Sequence, residues 1–196
     1  MPDPNSPASA RRTVAAVLKD LDAIDGAMYA AVAATPTPTL DRALRRLSRT
    51  ANHSKISLTV AAGLALAPGR PRRAALAGVG AVTVASAAAN LFGKRMFHRH
   101  RPDRERALVV AERHVPMPRS ASFPSGHTAS ATAFATAVGV VWPPSAVPLG
   151  ALAVAVGYSR VHTGVHYPGD VAAGGVLGFA AAAVSLAFVQ ARQNRT

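Results

Sequence analysis

The sequence predicts an all-α protein: a multi-span transmembrane helical bundle of about five to six spans, preceded by amphipathic interfacial helices. Three observations carry this expectation. Hydrophobic residues fill 49% of the 196 positions and the mean hydropathy is +0.19, yet aromatics reach only 5%. The apolar content is therefore mostly Ala, Val, Leu and Gly, small residues that let helix backbones approach closely in a bilayer. Apolar runs recur along the chain and are closed by Pro, Gly and Arg. Finally, the formal charge of +13 is carried by cations that flank those runs, a pattern suited to anionic lipid headgroups.

The elements follow in order. Residues 1–10 are rich in Pro, Ser and Ala, bury little, and are expected to be a disordered lead-in. Arg11-Arg12 do not open a secretion signal, because Lys19, Asp20, Asp22 and Asp25 interrupt the apolar run that would follow. Residues 11–53 are read as amphipathic helices in the interface plane. Val14, Val17, Leu18, Leu21, Ile24, Met28 and Val32 recur at helical spacing, and Leu40, Leu44 and Leu47 continue it beside Arg42, Arg45, Arg46 and Arg49. Residues 54–191 form the membrane core. Its candidate spans are about 54–68, 74–93, 126–142, 146–158 and 171–189. Roughly 20 helical residues cover the ~30 Å hydrocarbon layer, so 74–93 is long enough and 126–142 and 146–158 are short.

Composition also excludes. With no cysteine there is neither a disulfide nor a thiolate metal site. Nucleic acid is not the expected partner, since the cations flank apolar spans and no aromatic stacking platform accompanies them. The Ala-, Arg- and Val-rich usage resembles that of a high-GC bacterial genome.

Three short stretches carry the chemistry: Lys94 with Arg101-Pro102, then Pro124-Ser125-Gly126-His127, then Ser159-Arg160 with His166 and Asp170. Tracing the spans back and forth brings all three to one membrane face. Hydrolysis of a phosphate ester needs its charged oxygens neutralised, a nucleophile in line with the leaving oxygen, and a proton for that oxygen. Arg101 and Arg160 offer planar forks for phosphate and Lys94 a point charge. Ser125 is a good N-cap at a helix start after Pro124, where free N–H groups attract anions, and Gly126 lets a phosphate oxygen come close. His127 could protonate the leaving group. His166 could be the nucleophile, with Asp170 holding its other nitrogen as a donor.

The remaining polar residues take plainer readings. Arg95, Arg99, Arg104 and Arg106 read as juxtamembrane anchors, and His53, His98, His100 and His114 as interfacial histidines. His162, His166 and Asp170 have metal-like spacing, but Gly164 and Pro168 argue against one helix presenting both histidines. No metal and no other cofactor is expected.

These motifs resemble the three-part signature of the type 2 phosphatidic acid phosphatase superfamily, which includes vanadium haloperoxidases. That signature is Lys, six residues, Arg-Pro; Pro-Ser-Gly-His; and Ser-Arg, five residues, His, three residues, Asp. Every position is matched here, across residues about 54–190. The resemblance implies a helical bundle and metal-free hydrolysis through a phosphohistidine. It makes His166 the nucleophile, Asp170 its partner and His127 the general acid. Lys94, Arg101, Ser125, Gly126 and Arg160 would bind the phosphate.

The expected function is thus a multi-pass cell-membrane phosphatase. Its substrates would be lipid phosphates: phosphatidate, phosphatidylglycerol phosphate, polyprenyl phosphate or diphosphate, or a polyprenyl-linked sugar phosphate. A non-catalytic protein binding anionic lipid is the alternative, against which the His127, His166 and Asp170 set argues. A vanadate-dependent haloperoxidase is less favoured, because the chain is short and membrane-like.

Overall fold

The computed structural model describes residues 7–193, and among them all regular structure is helical. The lead-in expected over residues 1–10 lies outside the described residues up to residue 6, and residues 7–10 form the first turns of α1. The helices are α1 (Pro7–Ala34), α2 (Pro38–Thr50), α3 (Lys55–Ala65), α4 (Arg70–Ala87), α5 (Lys94–Met96), α6 (Gly126–Val141), α7 (Ala146–His162) and α8 (Pro168–Gln193).

Helix ends fall where local chemistry puts them. Pro stands in the first turn of α2 and α4, where its missing N–H costs no hydrogen bond. Gly69 adopts φ +81 ahead of α4, a conformation that suits glycine. The Ser125 hydroxyl accepts from the Thr128 N–H and caps α6. Pro143-Pro144 follow the end of α6 at Val141.

Helix α6 is the hub, packing on α4, α7 and α8, while α4 also packs on α3 and α8. The contact is made by small residues. Ala77, Ala81 and Ala85 of α4 meet Ala129, Ala133 and Ala137 of α6 and Ala181 and Ala182 of α8. A Cβ on Gly178 would lie 2.5 Å from the Ala129 carbonyl, and one on Gly174 equally close to the Ser125 carbonyl. Glycine is needed at both because the α8 backbone runs against α6.

Large apolar side chains point outward: Leu76 of α4, Val140 of α6, Val147 and Val154 of α7, and Val176, Phe179, Val184 and Phe188 of α8 are exposed. That inversion suits a lipid surrounding. Two helical stretches, Arg70–Leu91 and Pro168–Ala191, have the length and hydropathy of a complete crossing. The other expected spans are shorter. Helices α6 and α7, with 16 and 17 residues, reach about 24 and 26 Å at 1.5 Å per residue. Helix α3 has only 11 residues, roughly half a crossing, because left-handed residues at His53 and Ser54 precede it and Pro68-Gly69 follow it.

The N-terminal helices are amphipathic, with an unusual inside. Helix α1 buries Asp25, Tyr29 and Ala33, one stripe at four-residue spacing, and exposes Val17, Leu18, Leu21, Ile24 and Met28. Helix α2 buries Asp41 and Ser48. Helix α1 docks by Asp25 and by an apolar patch of Tyr29 and Ala33 on Val109 and Val161, and α2 docks by Asp41 and Ser48. Both leave other apolar side chains outside, as expected of helices lying at an interface.

Candidate active site

The site forms where the end of α7, the start of α6, the start of α8 and the long connection 97–125 meet. Backbone contacts bring the three motifs together. The Ser125 N–H donates to the Asp170 carbonyl at 2.9 Å, tying the first turn of α6 to that of α8. The N–H groups of Val165 and His166 both donate to the Arg160 carbonyl, folding the 163–166 turn back onto α7. Gly164 sits in that turn with φ +65, packed under Arg104 and Tyr29. At the other edge Gly93, the residue before Lys94, lies against the Pro124 ring. The backbone of Lys94 opens α5; its side chain lies outside the described residues.

His166 is 2% exposed. Its Nδ1 is 3.4 Å from Asp170 Oδ2 and its Nε2 is 3.3 Å from Arg101 Nη1. A guanidinium only donates, so Nε2 accepts and Nδ1 carries the hydrogen that faces Asp170. Burial lowers the His166 pKa to about 4; Asp170 opposes this, while Arg101 and Arg160 add to it. The ring is therefore neutral at neutral pH, with its lone pair on Nε2.

Asp170, fully buried, is satisfied on every side. Its Oδ2 accepts from the Ser122 hydroxyl and from the Tyr167 N–H, and its Oδ1 accepts from Arg99 Nη1 at 2.9 Å. Arg99 in turn binds Asp25 Oδ2 and Asp22 Oδ1, each at 2.7 Å, and lies over the Tyr167 ring. Among the described residues Arg101 and Arg160 make no ion pair of their own, and Asp170 attracts Arg101 only at longer range.

Arg101 is fixed by carbonyls, donating to Ser120, Val165 and Ala121. Arg160 is 1% exposed; its Nη1 donates to the Ser48 carbonyl and hydroxyl, and its buried Nε bonds to no protein acceptor. A buried donor without a partner is costly unless something else satisfies it. Ser125 Oγ accepts from Thr128 Oγ1 at 3.0 Å, leaving its own hydroxyl hydrogen to donate. A Cβ on Gly126 would make ordinary contact with Ala89, so the protein's own packing does not demand glycine there. His127 stands at the open end of α6, with Nε2 2.8 Å from Asn52 Oδ1.

The structure thus joins His166, Asp170, Arg101, Arg160 and Ser125 in one contact network, with Gly126 and His127 following Ser125 as the first two residues of α6. It separates His162 from His166: His162 pairs with Asp41 and Thr37. Sequence reasoning missed Arg99, Arg104, Ser122, Arg113, Asp41, Ser48 and Asn52. Arg104 donates to the carbonyls of Gly164 and Val115. Arg113, 2% exposed, caps the end of α1 through the carbonyls of Val32, Ala33 and Thr35 and binds Asp41. A buried charge such as these leaves no periodicity; only the excess of Arg in the 97–125 connection hinted at them.

Comparison with known proteins identifies the family. The PAP2 superfamily profile matches residues 74–194. The chain belongs to the PAP2 superfamily. Its PAP2 relatives include the decaprenylphosphoryl-5-phosphoribose phosphatase of Mycobacterium tuberculosis, 43% identical over 60% of this chain and 62% of that protein. The matched stretch therefore spans less than two thirds of the tuberculosis protein's length. The protein of the same description from Mycolicibacterium smegmatis is 38% identical over 78% of this chain and 80% of its own. A PAP2-type phosphatidylglycerolphosphate phosphatase from Bacillus subtilis shares the fold with a TM-score of 0.67 at 23% identity, covering 87% of each chain. Aquifex aeolicus LpxE does so with a TM-score of 0.66 at 22% identity, over 81% of this chain and 92% of its own.

Proposed function

We propose that this PAP2 protein is an integral, multi-pass membrane phosphatase that removes a terminal phosphate from a polyprenyl-linked sugar phosphate by way of a phosphohistidine. The observation that carries the reading is the pairing of a neutral, buried His166 with two guanidiniums that, among the described residues, contact no carboxylate. A phosphate supplies the missing anion. Its oxygens would take Arg101, Arg160 Nε and the Ser125 hydroxyl, with Lys94 adding charge, and Gly126 would leave room for an oxygen at the start of α6.

In this mechanism phosphate displaces the Arg101 hydrogen bond from His166 Nε2, which then attacks phosphorus as the ester P–O bond breaks. His127 gives the leaving oxygen its proton. Asp170 stabilises the positive charge that grows on His166 and keeps its hydrogen on Nδ1. Water then attacks the phosphohistidine, His127 takes a proton from it, and phosphate leaves with His166 restored. The three cations do the charge neutralisation that a metal ion would otherwise do.

The relatives' substrate supports the polyprenyl sugar phosphate, and the outward apolar faces of α4, α7 and α8 suit a substrate held in the bilayer. Phosphate release by purified protein in detergent tests the reading. Substrates should include a polyprenylphosphoryl pentose 5-phosphate, phosphatidate and phosphatidylglycerol phosphate. Preference for the first is expected, and no release from any of them would overturn it.

A further inference from the structure

Residues 41–54 lie outside the stretch matched by the family profile, yet they touch two of the proposed site residues. Asp41, Ser48 and Asn52 are separated by seven and four residues, a spacing that lines them along one side of α2 and its continuation. Each makes a polar contact with the bundle. Asp41 Oδ1 meets Arg113 Nε at 2.9 Å and His162 Nε2 at 3.1 Å. Ser48 holds Arg160 and also pairs with Thr163. Asn52 Oδ1 meets His127 Nε2 at 2.8 Å. Helix α2 is thus clamped to the end of α7 at two points before the chain reaches Asn52.

The backbone just beyond Asn52 is special. His53 and Ser54 both adopt left-handed conformations, φ 56 and 55, which non-glycine residues avoid. The turn Asn52–Ser54 packs on α6, so the surrounding structure holds a conformation that the chain alone would leave. Such backbone gathers where a side chain has to be aimed.

We propose that Asn52 is a positioning residue for His127, fixing which of its nitrogens delivers the proton to the leaving oxygen. The inference rests on the phosphatase reading above. An amide oxygen can only accept, so His127 Nε2 keeps its hydrogen and faces Asn52. The exchangeable proton is then the one on Nδ1. When the P–O bond breaks, the leaving oxygen takes the Nδ1 proton and His127 becomes the neutral Nε2–H form. In the second half-reaction Nδ1 takes a proton back from the attacking water. A neutral acceptor suits this cycle, because a carboxylate would hold the imidazolium and slow proton release.

The test compares an alkyl phosphate lipid with p-nitrophenyl phosphate, whose leaving group needs no proton, in wild type, Asn52→Ala, Asn52→Asp, His127→Ala and the Asn52→Ala/His127→Ala double variant. Asn52→Ala is expected to lose up to about 10²-fold in kcat/KM on the lipid, the cost of a misplaced catalytic group. On p-nitrophenyl phosphate its kcat/KM, which covers only the steps up to leaving-group departure, should stay within about threefold of wild type, because p-nitrophenolate leaves without a proton. Hydrolysis of the shared phosphohistidine slows for both substrates and is read in kcat alone. The double variant should be no slower than His127→Ala. The near-isosteric Asn52→Asp should fold, and the basic limb of its kcat profile should move to higher pH by about a unit or more. Equal losses of kcat/KM on both substrates, additive losses in the double variant, or an unmoved basic limb would each overturn the proposal. So would a His127→Ala variant indifferent to the leaving group. Wild type that releases phosphate from neither substrate would instead sink the phosphatase reading itself.

Discussion

Arg99 reaches Asp170 Oδ1 at 2.9 Å with the same Nη1 that binds Asp25 Oδ2 at 2.7 Å. Asp170 holds His166 through its other oxygen. A single guanidinium therefore links α1 to the proposed nucleophile. Asp25 contributes twice, since its Oδ1 also accepts from the Gly169 N–H in the first turn of α8. An acceptor there complements the exposed donors of a helix start.

Removing that link should be felt in turnover. Hydrogen bonds to charged groups contribute about 1.5–3 kcal/mol each, so Arg99→Gln is expected to lower kcat by roughly 10- to 100-fold. Asp25→Asn should lose part of this, because Asp25 is only 10% exposed at its side chain. Asp22→Asn should be nearly neutral, because the Asp22 side chain is 74% exposed and such pairs contribute little. Steady-state kinetics on the three variants checks the ranking; an Asp22→Asn defect larger than that of Asp25→Asn would refute it.

How far the sequence revealed this can be read from individual residues. Arg99 was read as a membrane anchor because a lone Arg beside an apolar span usually is one. Its partners lie 74 and 77 positions earlier and 71 positions later, separations that no local pattern encodes. The His166–Asp170 contact and the Ser125 cap were legible because motif spacing and helix-start chemistry are local. The short α3 was not, since Ala, Leu and Val run on past the points where backbone geometry stops the helix. Helices α1 and α2 were legible as amphipathic, but Val17, Leu18, Leu21, Ile24 and Met28 face outward while Asp25, Asp41 and Ser48 are buried, so periodicity located only part of the contact.

The α6–α8 contact sets the distance between Ser125 and Asp170. A Cβ on Gly178 would sit 2.5 Å from the Ala129 carbonyl, and one on Gly174 2.5 Å from the Ser125 carbonyl. Backbone atoms cannot rotate aside as a side-chain tip can. Gly178→Ala and Gly174→Ala should each cost about 1–3 kcal/mol by overpacking. Gly174→Ala should reduce activity more, because it presses on the residue that caps α6. Gly175→Ala, with nothing within 4 Å of its Cβ, should behave like wild type. Thermal unfolding in detergent with parallel assays checks this, and a Gly175→Ala defect equal to the others would contradict it.

Covalent catalysis by His166 predicts a trapped intermediate. Quenching with labelled substrate should yield an acid-labile phosphoprotein in wild type and none in His166→Ala. Asp170→Asn keeps the shape but loses the charge; by analogy with triad carboxylates, its kcat should fall on the order of 10³–10⁴-fold. If Arg101, Arg160 and Lys94 neutralise the phosphate as proposed, EDTA should leave turnover intact and orthovanadate should inhibit as a transition-state mimic. Label retained in His166→Ala would move the nucleophile elsewhere.

The pH dependence follows from the same buried ring. Burial holds His166 at about 4 against an ordinary value of 6.5, with Arg101 and Arg160 adding to the shift and Asp170 opposing it. With the neutral ring as the proposed nucleophile, the acid limb of kcat/KM, which reports free enzyme, should lie near pH 4. Bound phosphate offsets the two guanidiniums and favours the charged ring. The acid limb of kcat, which reports the complex, should therefore sit at higher pH than that of kcat/KM. Stability takes the corresponding sign. Between pH 6.5 and about 4 the unfolded chain binds a proton at His166 that the folded chain refuses. Stability from this residue is full above 6.5 and drains away as pH falls through that window. His166→Asn should flatten the drop, as measured by unfolding midpoints from pH 7 to 4. A kcat/KM limb near 6.5, or a midpoint whose pH slope is the same in wild type and His166→Asn, would mean that the ring is not held neutral by its surroundings.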